Sequence, residues 1–170
     1  MMNPFDTRSI TFAEPIDMLY ACHSKVRRFC HQISLLPNYL AQHGCNPIAL
    51  QTIQQIQQYF TLAAPLHHQD EEQDFFPLLL RYAPQAQDAI QQLQSQHHTL
   101  HQQWQKLAAE FTQLTNHTLT TLNVQIAHDF VAAYHAHLVI EEPLFELGKQ
   151  HIPSHELTRI GKHMAQRRQA

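Results

Sequence analysis

The chain has 170 residues, 44% hydrophobic and 15% charged, with only three glycines and a formal net charge of −3. That length predicts one domain with a buried core, and so few glycines predict helices rather than tightly turned strands. The charge leaves no basic footprint for nucleic acid or an anionic membrane, and no run reaches the ~18 apolar residues of a membrane span.

Residues 1–13 read as an extended arm. Their sequence, MMNPFDTRSITFA, lacks the charged-then-apolar form of a signal peptide, so a cytoplasmic protein is expected. Three cysteines without a CxxC pair fit a reducing compartment and give no disulfide framework or thiolate zinc site. From Glu14, with Pro15 in the first turn, Ile16, Leu19, Tyr20, Val26, Cys30 and Ile33 recur at helical spacing as far as about Gln42. His23 lies within that stripe.

A second helix is predicted from Asn46 as N-cap and Pro47 as first residue. Pro65 inside its pattern removes a backbone donor and should kink it just before His67. It restarts through HHQDEEQDFFP, residues 67–77. The third helix opens at Pro84 and runs to about Leu114, with His97, His101 and Trp104 on its inward side. The fourth covers about Leu119 to Gly148, with Phe130, Tyr134, His137 and Glu141 on one face and Pro143 interrupting it. A tail helix begins at Ser154 as N-cap and ends in Gln166-Arg167-Arg168, whose cations suit the negative end of its dipole. The whole reads as an all-α, up-down-up-down four-helix bundle over residues 14–150, followed by a short C-terminal helix over 151–170.

The chemistry lies in pairs four residues apart, which share a helix face. His67 with Glu71, or His68 with Glu72, directs an imidazole and a carboxylate to one point, as His137 does with Glu141 and His97 with His101. Register brings the pairs together. His23 stands 22 residues before Cys45 and His67 stands 22 after it, which in an antiparallel pair puts both about 33 Å from the turn at ~1.5 Å per residue. Glu71 and His97 stand 13 residues on either side of Pro84. His23, His67, Glu71, His97, His101, His137 and Glu141 are therefore the candidate ligands. Imidazole with carboxylate suits iron, zinc or manganese, and five imidazoles exceed what one tetrahedral zinc takes. Two metals are expected, with one coordination position left open for a ligand of diatomic size. His31, His43, His117, His128 and His155 are expected to face solvent.

HHQDEEQDFFP and HAHLVIEE resemble the two halves of the hemerythrin-like, or HHE, family motif, and the similarity spans about residues 14–150. The resemblance implies an oxo- or hydroxo-bridged pair of iron ions that binds dioxygen or another small diatomic molecule. It implies that His97, His101 and His137 hold one iron, that His23 and His67 hold the other, and that Glu71 and Glu141 bridge them. Five histidines imply the oxygen-binding type, a carrier, store or sensor. The alternative is a di-iron enzyme or iron donor in nitrosative or oxidative stress. Two departures leave rivals in place: EPLFELGK moves the closing proline to 143, so Glu142 competes with Glu141, and His68 and Glu72 compete with His67 and Glu71. An apolar ligand pocket is expected from Leu19, Tyr20, Phe60, Ala63, Trp104 and Phe130.

Overall fold

The computed structural model describes residues 9–170; the expected arm over 1–13 lies outside the described residues as far as residue 8. Among those described there is no strand, and the chain is an all-α bundle. Helix α1 (Pro15–His43) ends at Gly44, whose φ of 66° lies in the left-handed region that glycine occupies without strain and whose N–H returns to the Leu40 carbonyl. Helix α2 (Pro47–Gln58) is capped as expected, the Asn46 side chain accepting from the Ala49 amide at 3.0 Å.

The second helical run is not a simple kinked helix. After α2 the chain forms a π-helical segment (Tyr59–Ala63), then α3 (Ala64–Gln69), a second π-helical segment (Asp70–Phe75) and α4 (Phe76–Tyr82). The amide of Ala64 reaches back five residues to the Tyr59 carbonyl, and that of Phe76 reaches back five to Glu71. A proline, Pro65 or Pro77, follows each of these wide turns at once. A proline ring collides with the carbonyl four residues before it, and a turn that takes one extra residue relieves the collision without breaking the helix. Each extra residue also rotates the helix face, so the run buries Ala64, His67, Asp70, Glu71, Asp74, Phe75 and Phe76, a wider stripe than one 3.6-residue period presents.

Helix α5 (Gln87–Thr115) follows a 3₁₀ turn at Pro84–Ala86. Helix α6 (Val124–His151) starts five residues later than the expected Leu119, because Asn123 caps it, its side chain accepting from the Gln125 and Ile126 amides. Pro143 does not interrupt it. The carbonyl freed by this proline is that of Val139, a residue 73% exposed and so on the solvent side of the helix, where the lost bond costs least, and the helix continues. Helix α7 (Ser154–Arg167) begins one residue beyond Pro153, with no side-chain cap from Ser154. It packs so closely on the N-terminal segment that a side chain at Gly161 would strike the Phe12 carbonyl.

The apolar interior is divided in two. One cluster contains Val26, Phe60, Leu100, Trp104, Phe130 and Leu138, and the other Leu19, Phe75, Leu93, Leu144 and Phe145. On every long helical run the change from one cluster to the other falls at buried polar residues: His23 on α1, His67 and Glu71 on the second run, His97 on α5, His137 and Glu141 on α6. A polar layer thus crosses the bundle between two greasy halves.

Candidate metal centre

In that layer His23, Glu71 and Glu141 are wholly buried, and His67, His97 and His137 are at most 6% exposed. Their donor atoms form two groups able to hold a metal, His23–His67–Glu71–Glu141 and Glu71–His97–His137–Glu141. Both carboxylates belong to both groups. Glu71 Oε1 lies 2.8 Å from His67 Nε2 and 3.9 Å from His23 Nε2, while its Oε2 lies 3.3 Å from His97 Nε2. Glu141 Oε2 lies 3.0 Å from His23 Nε2 and 3.3 Å from His137 Nε2.

The outward nitrogens of the imidazoles settle what their inward nitrogens can be. His97 Nδ1 donates to Glu72 Oε1 at 2.7 Å, His137 Nδ1 donates to Gln96 Oε1 at 2.9 Å, and His23 Nδ1 donates to Glu142 Oε1 at 3.1 Å. With the proton on Nδ1, a neutral ring carries a lone pair on Nε2. Those lone pairs meet one another: His97 Nε2 and His137 Nε2 are 3.1 Å apart, and His23 Nε2 faces a carboxylate oxygen. His23 Nε2 and all four carboxylate oxygens of Glu71 and Glu141 are buried without a hydrogen bond of good geometry. Acceptors aimed at acceptors in a dry layer are stable only around cations. The donor set therefore fits metal ions, and imidazole with carboxylate suits iron, zinc or manganese.

The two members of each glutamate doublet occupy different places. Glu72 and Glu142 are 40% and 26% exposed and bind the outer nitrogens of His97 and His23, with Arg27 on Glu142 at 2.7 Å. They stand in the outer position that fixes a ligating imidazole's tautomer and raises its basicity. The fourth imidazole, His67, has no hydrogen bond at Nδ1. Beside it lies the Cys22 thiol, which burial raises but His67 pulls below its ordinary range.

Without metal, protons take the cations' place. Burial disfavours a charged His97, yet Glu71 and Glu72 outweigh burial and lift it to about 9. His67 is likewise raised against burial by Glu71, and His23 by Glu141 and Glu71. Burial would raise Glu71, but His67, His23 and His97 hold it well below the usual carboxylate range. The raised His97 stabilises the metal-free fold fully below about 6.5, and that contribution fades as pH climbs through about 9. Glu71 acts in the opposite sense, its contribution being lost only as pH falls well below 4.5. We expect the metal-free protein to lose stability between about pH 6.5 and 9, and metal uptake at neutral pH to release protons. Calorimetric titrations in buffers of different ionisation heat measure that release; none at pH 7 contradicts it.

Six of the seven expected ligands meet in this layer. His101 does not. It is exposed, its Nε2 within 3.2 Å of the Gln105 amide, and it belongs to neither group. The buried stripe of α5 steps alternately by four and three through Leu93, His97, Leu100 and Trp104, so Leu100 takes the inward place after His97 and His101 falls on the flank. His68 comes inward instead, forming a third possible group with His97 and His137 and stacking on His97 with ring centres 3.9 Å apart. Burial and the neighbouring His97 keep it well below the ordinary histidine range, hence neutral. The signal that could have found it is the pair of prolines, Pro65 and Pro77, which bracket the motif and force the wide turns. The expected pocket is also redrawn: Phe60 and Trp104 line a cavity, but Ala63 is exposed and Leu19 packs in the other core cluster. His31, His43, His117, His128 and His155 are all exposed.

Helix α7 holds the layer from outside. Asp70, 1% exposed and next to Glu71, is bound by Arg167 and, at 2.7 Å, by Arg168 Nη2. Asp74, one turn on, takes Arg167 Nη2 at 2.7 Å and His163 Nδ1 at 3.1 Å. Arg168 also donates to the Met164 carbonyl at 2.9 Å, the helix-end role its position suggested, and lies over the Phe12 ring.

No helix of the described residues is long and apolar enough to cross a membrane. A family model described as the hemerythrin HHE cation binding domain matches residues 14–147. The chain is also 47% identical, over 159 residues, to a protein of Haemophilus influenzae named only as an uncharacterized protein; the match covers 94% of this chain and 92% of the relative.

Proposed function

This chain belongs to the hemerythrin HHE cation-binding domain family, and on that footing we propose that its buried centre holds two iron ions and binds dioxygen reversibly, as a carrier, store or sensor. The observation that carries the proposal is the sharing of Glu71 and Glu141 by two four-residue groups, which is the arrangement that a pair of adjacent cations requires. In this reading His23 and His67 hold one ion, His97 and His137 hold the other, and the two carboxylates serve both. His68 supplies the fifth imidazole, on the His97–His137 side, in place of His101. Iron in such a set supplies the electron that side chains lack for chemistry with dioxygen. The protein supplies the rest: apolar walls above and below the layer keep water out, and Glu72, Gln96 and Glu142 hold three imidazoles in one tautomer.

The test is an absorption spectrum of the anaerobically iron-loaded protein. A change on adding dioxygen that reverses under argon supports the reading, whereas an irreversible change, or none, contradicts it. The choice between the two histidines has its own test. His101→Ala is expected to keep the iron content and the reversible change, because that side chain points to solvent. His68→Ala is expected to keep most of the iron, since the six other ligands remain, and to lose reversibility. The opposite pattern would return His101 to the centre.

A further inference from the structure

A groove of about 590 Å³ opens on the surface between α1 and the first part of the second helical run. Its floor is aromatic. Phe29 and Tyr59, 7% and 8% exposed, lie with ring centres 4.8 Å apart and planes 33° from each other, and Leu62, 61% exposed, stands beside them. The Tyr59 hydroxyl donates to the Cys22 carbonyl at 3.1 Å, so this residue offers the groove its ring.

The charge of the lining has one sign. Lys25 and Arg28 face the groove and no carboxylate does, although the chain as a whole carries a formal net charge of −3. Other cations nearby are paired, Arg27 with Glu142 and Lys149 with Asp17, each at 2.7 Å, whereas among the described residues Lys25 and Arg28 form no ion pair. Arg28 lies over the Phe29 ring, 4.9 Å from its centre, which orients the guanidinium without neutralising it. The remaining polar lining is amide, from Gln32, Gln55 and Gln58. Gln32 Oε1 is buried without a hydrogen bond, and a buried acceptor without a donor marks a place where something else supplies one.

Along α1 these residues fall in order. Lys25, Arg28, Phe29 and Gln32 share one face, and Lys25 and Gln32, seven residues apart, are separated by about 10 Å at ~1.5 Å per residue. The cations mark the end nearer His23 and the amide marks the far end. Sites for small organic molecules measure roughly 300–1,000 Å³, so the groove has room for a molecule and not merely an ion. We infer that it binds a flat organic anion of mononucleotide size, with its phosphate or carboxylate at Lys25 and Arg28, its ring on Phe29 and Tyr59, and a ring N–H toward Gln32. Glutamines both donate and accept, which suits the mixed edge of such a ring. The site does not depend on which metal or gas the polar layer takes.

The test follows the fluorescence anisotropy of flavin mononucleotide, a flat phosphate-bearing probe with a ring N–H, as the metal-loaded chain is titrated in at fixed ionic strength. A saturable rise is expected. Riboflavin, which lacks only the phosphate, should bind about tenfold more weakly, the low end for charge-assisted hydrogen bonds. Lys25→Met together with Arg28→Met should bring flavin mononucleotide to the riboflavin level and leave riboflavin unchanged. Gln32→Leu should weaken both by roughly two- to tenfold, as loss of a neutral hydrogen bond does. AMP, a smaller member of the same class, should displace the probe. Equal affinity for the two flavins overturns the inference, and so does binding of flavin mononucleotide that survives the double variant. Displacement by inorganic phosphate as effective as by AMP also overturns it, leaving a plain anion patch. Displacement by polyglutamate but not by AMP overturns it in favour of an acidic protein partner. Failure of both flavin mononucleotide and AMP to bind at millimolar concentration leaves the groove without the ligand class assigned to it.

Discussion

Replacing Glu71 by glutamine is expected to strip metal from both positions of the centre, although it changes a single side chain by almost no volume. The carboxylate is wholly buried, and its two oxygens lie beside imidazoles of both groups, His67 and His23 on one side and His97 on the other. The amide removes a charge that the two proposed cations would share and introduces a donor among lone pairs. The comparison is Glu72→Gln, one residue on, where the carboxylate touches only the outer nitrogen of His97. That change should cost about 10–100-fold in affinity, the usual loss for an outer partner, and at one position. Glu71→Gln should exceed it at both, measured as bound metal per chain and by competition with a chelator. Equal losses in the two variants would mean that Glu71 is not shared.

A comparable effect on stability is expected from α7. Changing Arg167 and Arg168 together to methionine keeps their apolar stems and leaves Asp70 buried with no cation. Breaking a buried ion pair by removing one side costs roughly 3–5 kcal/mol, because the remaining charge is stranded. Exposed pairs give ~1 kcal/mol or less. Asp70 is 1% exposed, so the larger figure applies, although the partly exposed guanidiniums moderate it. Adding Asp70→Asn to the double variant should recover much of the loss, as a cycle of such changes requires of a direct pair. Because Asp70 precedes Glu71 on the same wide turn, metal affinity should fall with stability in the double variant. Urea unfolding with a loss of ~1 kcal/mol or less would reduce the clasp to a surface contact.

The parts of this protein that follow one helical period were legible in its sequence. His23, His67, Glu71, His97, His137 and Glu141 sit at the spacings that place them on inward faces, and Asn46 with Pro47 announces a helix start that the fold uses. What escaped is what breaks the period. Pro65 signalled a kink, but the backbone answers both prolines with wide turns, and the resulting rotation carries His68 inward beside His67. On α5 no such break occurs, so spacing alone left His97+3 and His97+4 as near equals; the packing of Leu100 against the core decided for the former and put His101 in solvent. Each glutamate doublet read as two rival ligands, whereas one member faces the layer and the other reaches an imidazole on a different helix. That division depends on how the helices are rotated against each other. Arg167 and Arg168 read as partners of their own helix dipole for the same reason: nothing local reveals Asp70 and Asp74, which are more than ninety residues away in sequence.

The most direct measurement is the iron content of the protein at saturation. Loaded anaerobically with ferrous iron, freed of excess and analysed for iron and protein together, the chain should hold two ions. Mössbauer spectra should resolve two ferrous environments, because in the proposed centre His68 would add an imidazole on one side only. Saturation at one ion per chain, with Glu71→Gln and Glu141→Gln each losing that single ion, would contradict the shared-carboxylate centre and leave a mononuclear site in its place.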